Sequence, residues 1–408
     1  MTSTTSTTDT TGVVGGERAG EPAVLDYNPY LIEPVHSHVH KMDELREEHP
    51  YFKSSLGPGF WNLTRMDLVR EAFQNPQLFS STAVIPIEPD PLFQMIPIML
   101  DPPRHTKWRQ LTAPAFSPGS IAHLEDKVRE RCVELIDPLV GRERCDFLRD
   151  FAYRYPTTIF MEIMGLPVTE ADKFLAWEDA ILHISLEQDP ERAGVLQATE
   201  EVKAYFAELI ERRRADPADD LLSKAIDWKI DGEQISDEDM LSFCLLMFMA
   251  GLDTVSTQLA YSWYHLATHQ DDLRRIVEDP AIIPDALEEL LRAYAFVPTG
   301  RKVTSDVDFH GCPMKAGETV WLWLPAACRD PRAFPEPDRV DFDRQPNNHI
   351  AFGAGPHRCL GSHLARRELR IAIEEWHRRI PRYRLDESVE LEEHGGMFGL
   401  DELVLLLG

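Results

Sequence analysis

This 408-residue chain is short of cations relative to acids. Lys and Arg number 42 against 69 Asp and Glu, a formal charge of −27. A nucleic-acid binder neutralises phosphates with clustered cations, so this balance excludes that class. No apolar run approaches the roughly 20 residues that cross a bilayer. The longest, Phe243 to Leu252, falls well short. The opening MTSTTSTTDTTGVVGG has neither the cationic nor the apolar segment of a secretory leader. The expected location is the cytoplasm, without membrane insertion. The six cysteines, at 132, 145, 244, 312, 328 and 359, form no CxxC pair. A zinc ribbon and a dithiol redox motif are therefore excluded, and the cysteines read as reduced thiols.

The 43% hydrophobic content argues for a buried core. Residues 1–24, rich in Thr, Ser and Gly, read as a disordered tail, and 25–408 as a single domain. Apolar positions at three- and four-residue spacing predict helices over 118–140, 150–164, 169–184 and 195–214. Ser236 opens SDED, a capping box, and a helix is expected from there to His269. Its first half is apolar nearly all round, as in a helix that runs through an interior. A further helix is expected over 284–294 and a last one over 359–379. Short strands are expected near Arg301–Thr304 and Glu318–Leu324, with irregular chain over 325–350 and a β-like tail. The fold class is mainly α with a small β portion.

One cysteine stands apart. Phe352 to Gly361 reads FGAGPHRCLG, with glycines at 353, 355 and 361 around Cys359. Glycine permits positive φ and close backbone approach. A helix N-terminus favours thiolate over thiol. The loop therefore presents a thiolate, sheltered by Phe352, that is ready to bind a metal. Three other segments carry chemistry. EELLR (288–292) holds Glu289 and Arg292 three apart, with Glu288 as a competing acid. AGLDTV (250–255) places a helix-weakening Gly251 beside Thr254, whose hydroxyl can bond a carbonyl one turn back. LDPPRHTKWR (100–109) puts His105 and Arg109 on one helix face.

These four motifs, in this order, resemble the cytochrome P-450 family, and within it the bacterial soluble class. AGLDTV, TSDVDFHG (304–311) and HLARRE (363–368) look closest to the camphor-hydroxylase type. The resemblance implies a long central helix over a buried haem b, with the Cys359 thiolate as axial ligand to the iron. It implies that His105, Arg109, Arg301 and His357 face the haem propionates. Phe352, Gly353, Gly361 and Ala250 would surround the haem, with Ala250 and Gly251 leaving room for a diatomic ligand. Thr254 and Asp253 would deliver protons for O2 activation. Glu289 and Arg292 would be structural, fixing the loop before the cysteine. The substrate pocket would include Phe93, Ile98, Leu246, Met249, Ala250, Val297 and Thr299. Phe93 stands where the camphor type has a substrate-binding Tyr, and Thr299 where it has an Asp, so camphor itself is not expected.

The activity implied is hydroxylation of a compact hydrophobic molecule, a terpenoid, norisoprenoid or small aromatic. Rival readings on this fold are a fatty-acid or steroid hydroxylase, a peroxygenase and a non-catalytic haem sensor. Electrons would come from a ferredoxin and its NAD(P)H-dependent reductase. Eight Arg against three acids between Gly353 and Arg384 suggest a basic docking patch for it.

Overall fold

The computed structural model of the chain describes residues 22–183, 189 and 192–408. Residues 1–21 of the expected tail lie outside the described residues, as does Ile184 of the helix expected over 169–184. Val24 and Leu25 are a strand, β1. The helices that position the site are α1 (Arg104–Thr112), α2 (Glu125–Ile136), α3 (Arg154–Ile163), α4 (Ala193–Ala215), α5 (Asp237–Thr268), α6 (Ile283–Ala293) and α7 (Ser362–Arg379).

The long helix α5 starts where SDED placed it. Ser236 accepts a hydrogen bond from the Asp239 N–H at 3.1 Å. Asp237, Glu238 and Asp239 put negative charge at the positive end of the helix dipole. By length and composition alone α5 could cross a membrane, but 61% of its most apolar stretch is buried inside the protein. Its hydroxyls turn back on the helix: Ser256 Oγ donates to Leu252 O and Ser262 Oγ to Gln258 O, both at 2.7 Å. One core packs around its second half, where the Trp263 ring stacks on Phe147 at 4.7 Å and meets Trp376 edge-on at 5.6 Å. A second core packs its first half against α4 through Phe206, Phe174 and Phe248.

Several expected helices are broken. The segment 118–140 splits into Pro118–Ala122, α2 and a 3-10 turn at Asp137–Leu139. Pro138, which has no N–H, ends the regular helix. The segment 150–164 opens with a π turn at Leu148–Ala152 before α3. Pro156 removes the N–H that would bond Ala152 O, and Tyr153 N reaches back to Leu148 O at 2.9 Å. Ala171–Glu178 likewise passes into a π turn at Asp179–His183. The last helix begins at Ser362, not at Cys359.

The main sheet has six strands: β1, β2 (Tyr51–Ser54), β3 (Phe60–Leu63), β4 (Phe79–Ser80), β5 (Thr299–Val303) and β6 (Thr319–Leu322). Their spatial order is β1-β2-β3-β6-β5-β4. β6 runs parallel to β3, with Val320 opposite Trp61, and antiparallel to β5, with Val320 opposite Arg301. Arg301 is thereby carried inside the protein, 3% exposed.

A buried carboxyl ties the tail to α5. Glu393, in the strand Glu392–His394, accepts the Tyr261 hydroxyl at 2.5 Å and is 1% exposed. Burial raises its pKa from 4.5 to about 7, against the opposing Tyr261 hydroxyl, the His36 N–H and the His394 charge. A raised folded pKa means stability that is present below pH 4.5 and lost as pH rises through 7. Glu393→Gln keeps an acceptor for Tyr261 and removes that loss. Its melting temperature relative to the parent is expected to rise between pH 5 and pH 8, by the equivalent of up to ~3 kcal/mol. Parallel pH profiles of the two proteins would contradict this assignment.

Candidate active site

The loop before α7 is shaped by glycine. Gly353 and Gly355 hold φ of 71° and 66°, which other residues rarely adopt. A Cβ on Gly355 would lie 2.3 Å from the Phe73 carbonyl oxygen, so the loop packs there only as glycine. Cys359 N donates to Phe352 O at 2.8 Å and closes the loop. The side chain of Cys359 is the only exposed one among the six cysteines, yet protein surrounds it closely. Burial pushes the thiol pKa up, opposed by the Gly361 N–H and by the charges of Arg109, Arg358 and Arg366. At Gly361 a Cβ would make only ordinary contact with Sγ, at 4.0 Å, so this position is not held to glycine by the sulfur. Because α7 starts only at Ser362, local N–H groups and arginines, not the cysteine's own place in a helix, favour the thiolate.

Beside this thiol lies a nest of two arginines, Arg109 and Arg301, and two histidines that burial and those charges keep neutral at pH 7. The His105 and His357 rings stack at 3.8 Å. His357 Nε2 meets Ser81 Oγ at 3.0 Å, and Arg109 Nη2 donates to Arg358 O at 2.9 Å. Arg301 reaches only neutral oxygens, Gly300 O at 2.6 Å and Thr299 Oγ1 at 3.4 Å. Burial, then the charge of Arg109, holds His105 at about 4. Burial, then Arg301, His105 and Arg109, holds His357 at about 2. Burial lowers Arg301 to about 10. The carboxylate that eases Arg301 and His105 is Asp101, and it already accepts Ser80 Oγ at 2.5 Å and Ser81 N at 2.8 Å. The buried His105 Nδ1 has no partner. A buried guanidinium with no carboxylate in salt-bridge contact among the described residues calls for an anion.

This arrangement fits haem on two counts. Among the described residues no three His, Cys, Asp or Glu are grouped to hold a metal ion. A lone thiolate would suit an iron whose remaining ligands come with the bound group and not from the protein. The cationic nest suits the two propionates.

On α5, Ala250 is exposed while its neighbours along the helix are mostly buried, and Thr254 one turn on is half-buried. The helix thus has an open face at 250 and 254. Thr254 Oγ1 donates to Ala250 O at 3.0 Å, as its spacing suggested. Gly251 and the Thr254 back-bond do not open the helix, since α5 is continuous from Asp237 to Thr268. Gly251 does not leave room for a diatomic ligand. A Cβ there would lie 3.0 Å from the Phe160 ring of α3, so its smallness serves packing. Asp253 is 2% exposed and accepts the Thr257 hydroxyl at 3.4 Å.

Of the expected pocket residues, Phe93, Ile98, Leu246 and Met249 meet in one apolar cluster. Val84, Met95 and Met99, whose loop carries no periodicity, belong to it too and were missed, as was Met247 of α5. Val297 packs instead against the main core, and Thr299 sits beside Arg301. Adjoining the cluster at Phe93 and Met99 is a cleft of about 640 Å³, with Leu92, Leu241, Lys203 and Glu238 also in its walls.

Glu289 and Arg292 are both fully buried. Glu289 accepts Arg292 Nε and Nη2 at 2.8 Å, and also Arg344 Nε at 3.0 Å and Asn347 Nδ2 at 3.1 Å. Arg292 Nη1 donates to the carbonyls of Cys328 and Pro337 at 3.0 Å. Arg344 and Asn347 were not singled out from sequence, since they lie 55 and 58 residues from Glu289. The basic patch counted from sequence is largely neutralised. Arg366 pairs with Glu288, Arg367 and Arg370 with Glu125, and Arg378 and Arg379 with Glu375. Of the eight arginines, Arg358, Arg382 and Arg384 remain exposed without a salt bridge among the described residues.

Residues 24–379 match the sequence profile of the family described as Cytochrome P450. A probable cytochrome P450 127A1 from Sinorhizobium fredii is 35% identical, over 86% of this chain and 84% of that protein. A steroid C26-monooxygenase from Mycolicibacterium smegmatis is 34% identical, over 84% of this chain and 86% of that protein. The solved structure of CYP109E1 from Bacillus megaterium in complex with testosterone superposes with a TM-score of 0.84 at 29% identity, covering 91% of this chain and 97% of that one. With most of its length matched, this chain belongs to the cytochrome P450 family of monooxygenases.

Proposed function

We propose that the protein binds haem b through Cys359 and hydroxylates an extended, mostly apolar substrate of the steroid or lipid class. The observation that carries the cofactor reading is the lone thiol in its glycine loop beside a buried cationic nest. In this reading Arg301, Arg109, His105 and His357 hold the propionates, and Phe352, Gly353 and Gly361 shape the thiolate's surroundings. Bound haem supplies the oxidising chemistry, by which one atom of O2 enters a C–H bond and the other leaves as water.

The protein's own part is to position, to exclude water and to move protons. The Thr254 hydroxyl spends its proton on Ala250 O and offers its oxygen lone pairs to the open face of α5. Asp253, one residue before it and buried, is the proton reservoir behind that face. Thr254→Ala is expected to keep haem content unchanged while more of the consumed NADH ends as hydrogen peroxide and less as product. Unchanged coupling of NADH to product would refute the role.

The compact terpenoid expected from sequence is the weaker reading. The cleft beside Phe93 is in the range that holds drug-sized ligands, and its walls are apolar along Leu92, Phe93, Met99 and Leu241. Thr82, Gln94, Lys203, Glu238 and Ser242 make most of the rest of its wall polar, which suits a molecule that carries a polar group on an apolar body. The names of two similar proteins, a steroid monooxygenase and a testosterone complex, favour the same class. The camphor-hydroxylase type is retained as a likeness of AGLDTV and HLARRE, without its substrate. Optical titration of the ferric protein with steroids, fatty acids and terpenoids tests this. The largest low-to-high-spin shift is expected from a steroid or branched lipid, and a larger response to a compact terpenoid would reverse the choice. Electrons would come from a ferredoxin and its NAD(P)H-dependent reductase, docking around exposed Arg358 beside the thiolate.

A further inference from the structure

Glu288, the competing acid of EELLR, has its own assembly. Arg366 Nε and Nη2 donate to its two oxygens at 2.5 and 2.8 Å. His349 Nε2 donates to it at 3.0 Å. The tautomer follows from the other ring nitrogen, which accepts the Ala351 N–H at 3.2 Å. Burial alone would raise the Glu288 carboxyl, but these partners hold it at about 2. The clamped Arg366 guanidinium lies 4.4 Å from the centre of the Phe352 ring. Phe352 is the residue whose carbonyl takes the Cys359 N–H. A cation stacked on an aromatic face is attracted by the ring's negative face, so Arg366 is fixed from two sides.

The chain thus places one positive and one negative charge in series behind the thiolate loop: Arg366 against Phe352, and Glu288 beyond Arg366. We propose that this pair sets the electron affinity of the group bound at Cys359, with Arg366 raising it and Glu288 lowering it. The proposal rests on the haem–thiolate reading above. Reduction adds one negative charge at the site. A nearby cation stabilises the reduced form and a nearby carboxylate destabilises it. Both residues are positioning residues, since neither touches the sulfur's ligand face.

The test is the midpoint potential of the haem-loaded protein, measured against mediator dyes with dithionite as reductant. Arg366→Gln is expected to lower the potential, and Glu288→Gln to raise it. Each shift is expected to change the reduction equilibrium roughly tenfold, the size of a unit charge about 10 Å away at intermediate dielectric. The double variant is expected to return near the parent, and Arg366→Lys to stay closer to the parent than Arg366→Gln. A purely structural role predicts that both single variants move the potential in the same direction, as water enters. That result, or no shift in either, would overturn the proposal. If Arg366→Gln does not hold haem, Glu288→Gln decides alone, because it keeps an acceptor for Arg366: a rise supports the proposal, a fall or no change ends it. The carbon monoxide spectrum of the same samples separates the two levels. Absence of the thiolate band in the parent would remove the ligand reading, whereas a normal band with unmoved potentials would remove only this one.

Discussion

Cys359→Ser protein is expected to lose the thiolate absorption signature and all measurable monooxygenase turnover while keeping its fold. The fold is spared because the Cys359 side chain is exposed and belongs to none of the apolar clusters. The loop around it is closed by backbone bonds that serine leaves intact, Cys359 N to Phe352 O and Gly353 N to Ile350 O. Function is lost because the thiolate's electron donation is what favours O–O cleavage, and a serine hydroxyl stays protonated at neutral pH and donates far less. No neighbour can take over as ligand without rebuilding the nest. His357, two residues before, is stacked on His105 and bonded to Ser81. Circular dichroism, haem content and turnover on one preparation check all three parts. Turnover at the parent rate by a folded Cys359→Ser protein would mean that another group holds the iron.

Glu289→Ala is expected to have the largest effect on stability. Its carboxylate is the shared partner of two buried guanidiniums, Arg292 and Arg344, and of the Asn347 amide and the Asp341 N–H. Truncation leaves both arginines facing each other without an anion. Breaking a buried pair in this way costs about 3–5 kcal/mol. Against a typical total of roughly 5–15 kcal/mol, that is a fifth of the margin or more. The damage is directed, because Arg292 also holds the carbonyls at 328 and 337, in the chain that leads to the cysteine loop. Loss of haem retention is therefore expected together with a lower melting temperature. Glu289→Ala protein that melts within a degree of the parent and keeps full haem would show that the network is dispensable.

The elements readable from sequence are those written in local spacing. The cysteine loop is one, since its glycines, histidine and cysteine fall within ten residues. The start of α5 is another, since Ser236 and Asp239 form a cap by themselves. The fold class was readable from helical periodicity. What could not be read is what distant residues decide. Gly251 looked like room for a ligand, and only the Phe160 ring of α3 shows that it is a packing contact. Eight arginines looked like a patch until Glu125 and Glu288, from other helices, paired with three of them. Arg344 and Asn347 joined Glu289 across more than fifty residues. The pairing of β3 with β6 spans most of the chain and has no local signature. The π turns before α3 and after Ala171–Glu178 keep near-helical spacing, so periodicity does not reveal them.

The central claim is that Cys359 is the iron ligand, held in a site that the cationic nest completes. Its most direct test is the spectrum of the purified, haem-loaded protein reduced under carbon monoxide. A strongly red-shifted Soret band, the mark of thiolate-ligated haem, is expected in the parent and in the Arg366 and Glu288 variants that bind haem. A band at the position of histidine-ligated haem in intact, folded parent protein would contradict it, and the assigned roles of Thr254 and the Arg366–Glu288 pair would fall with it.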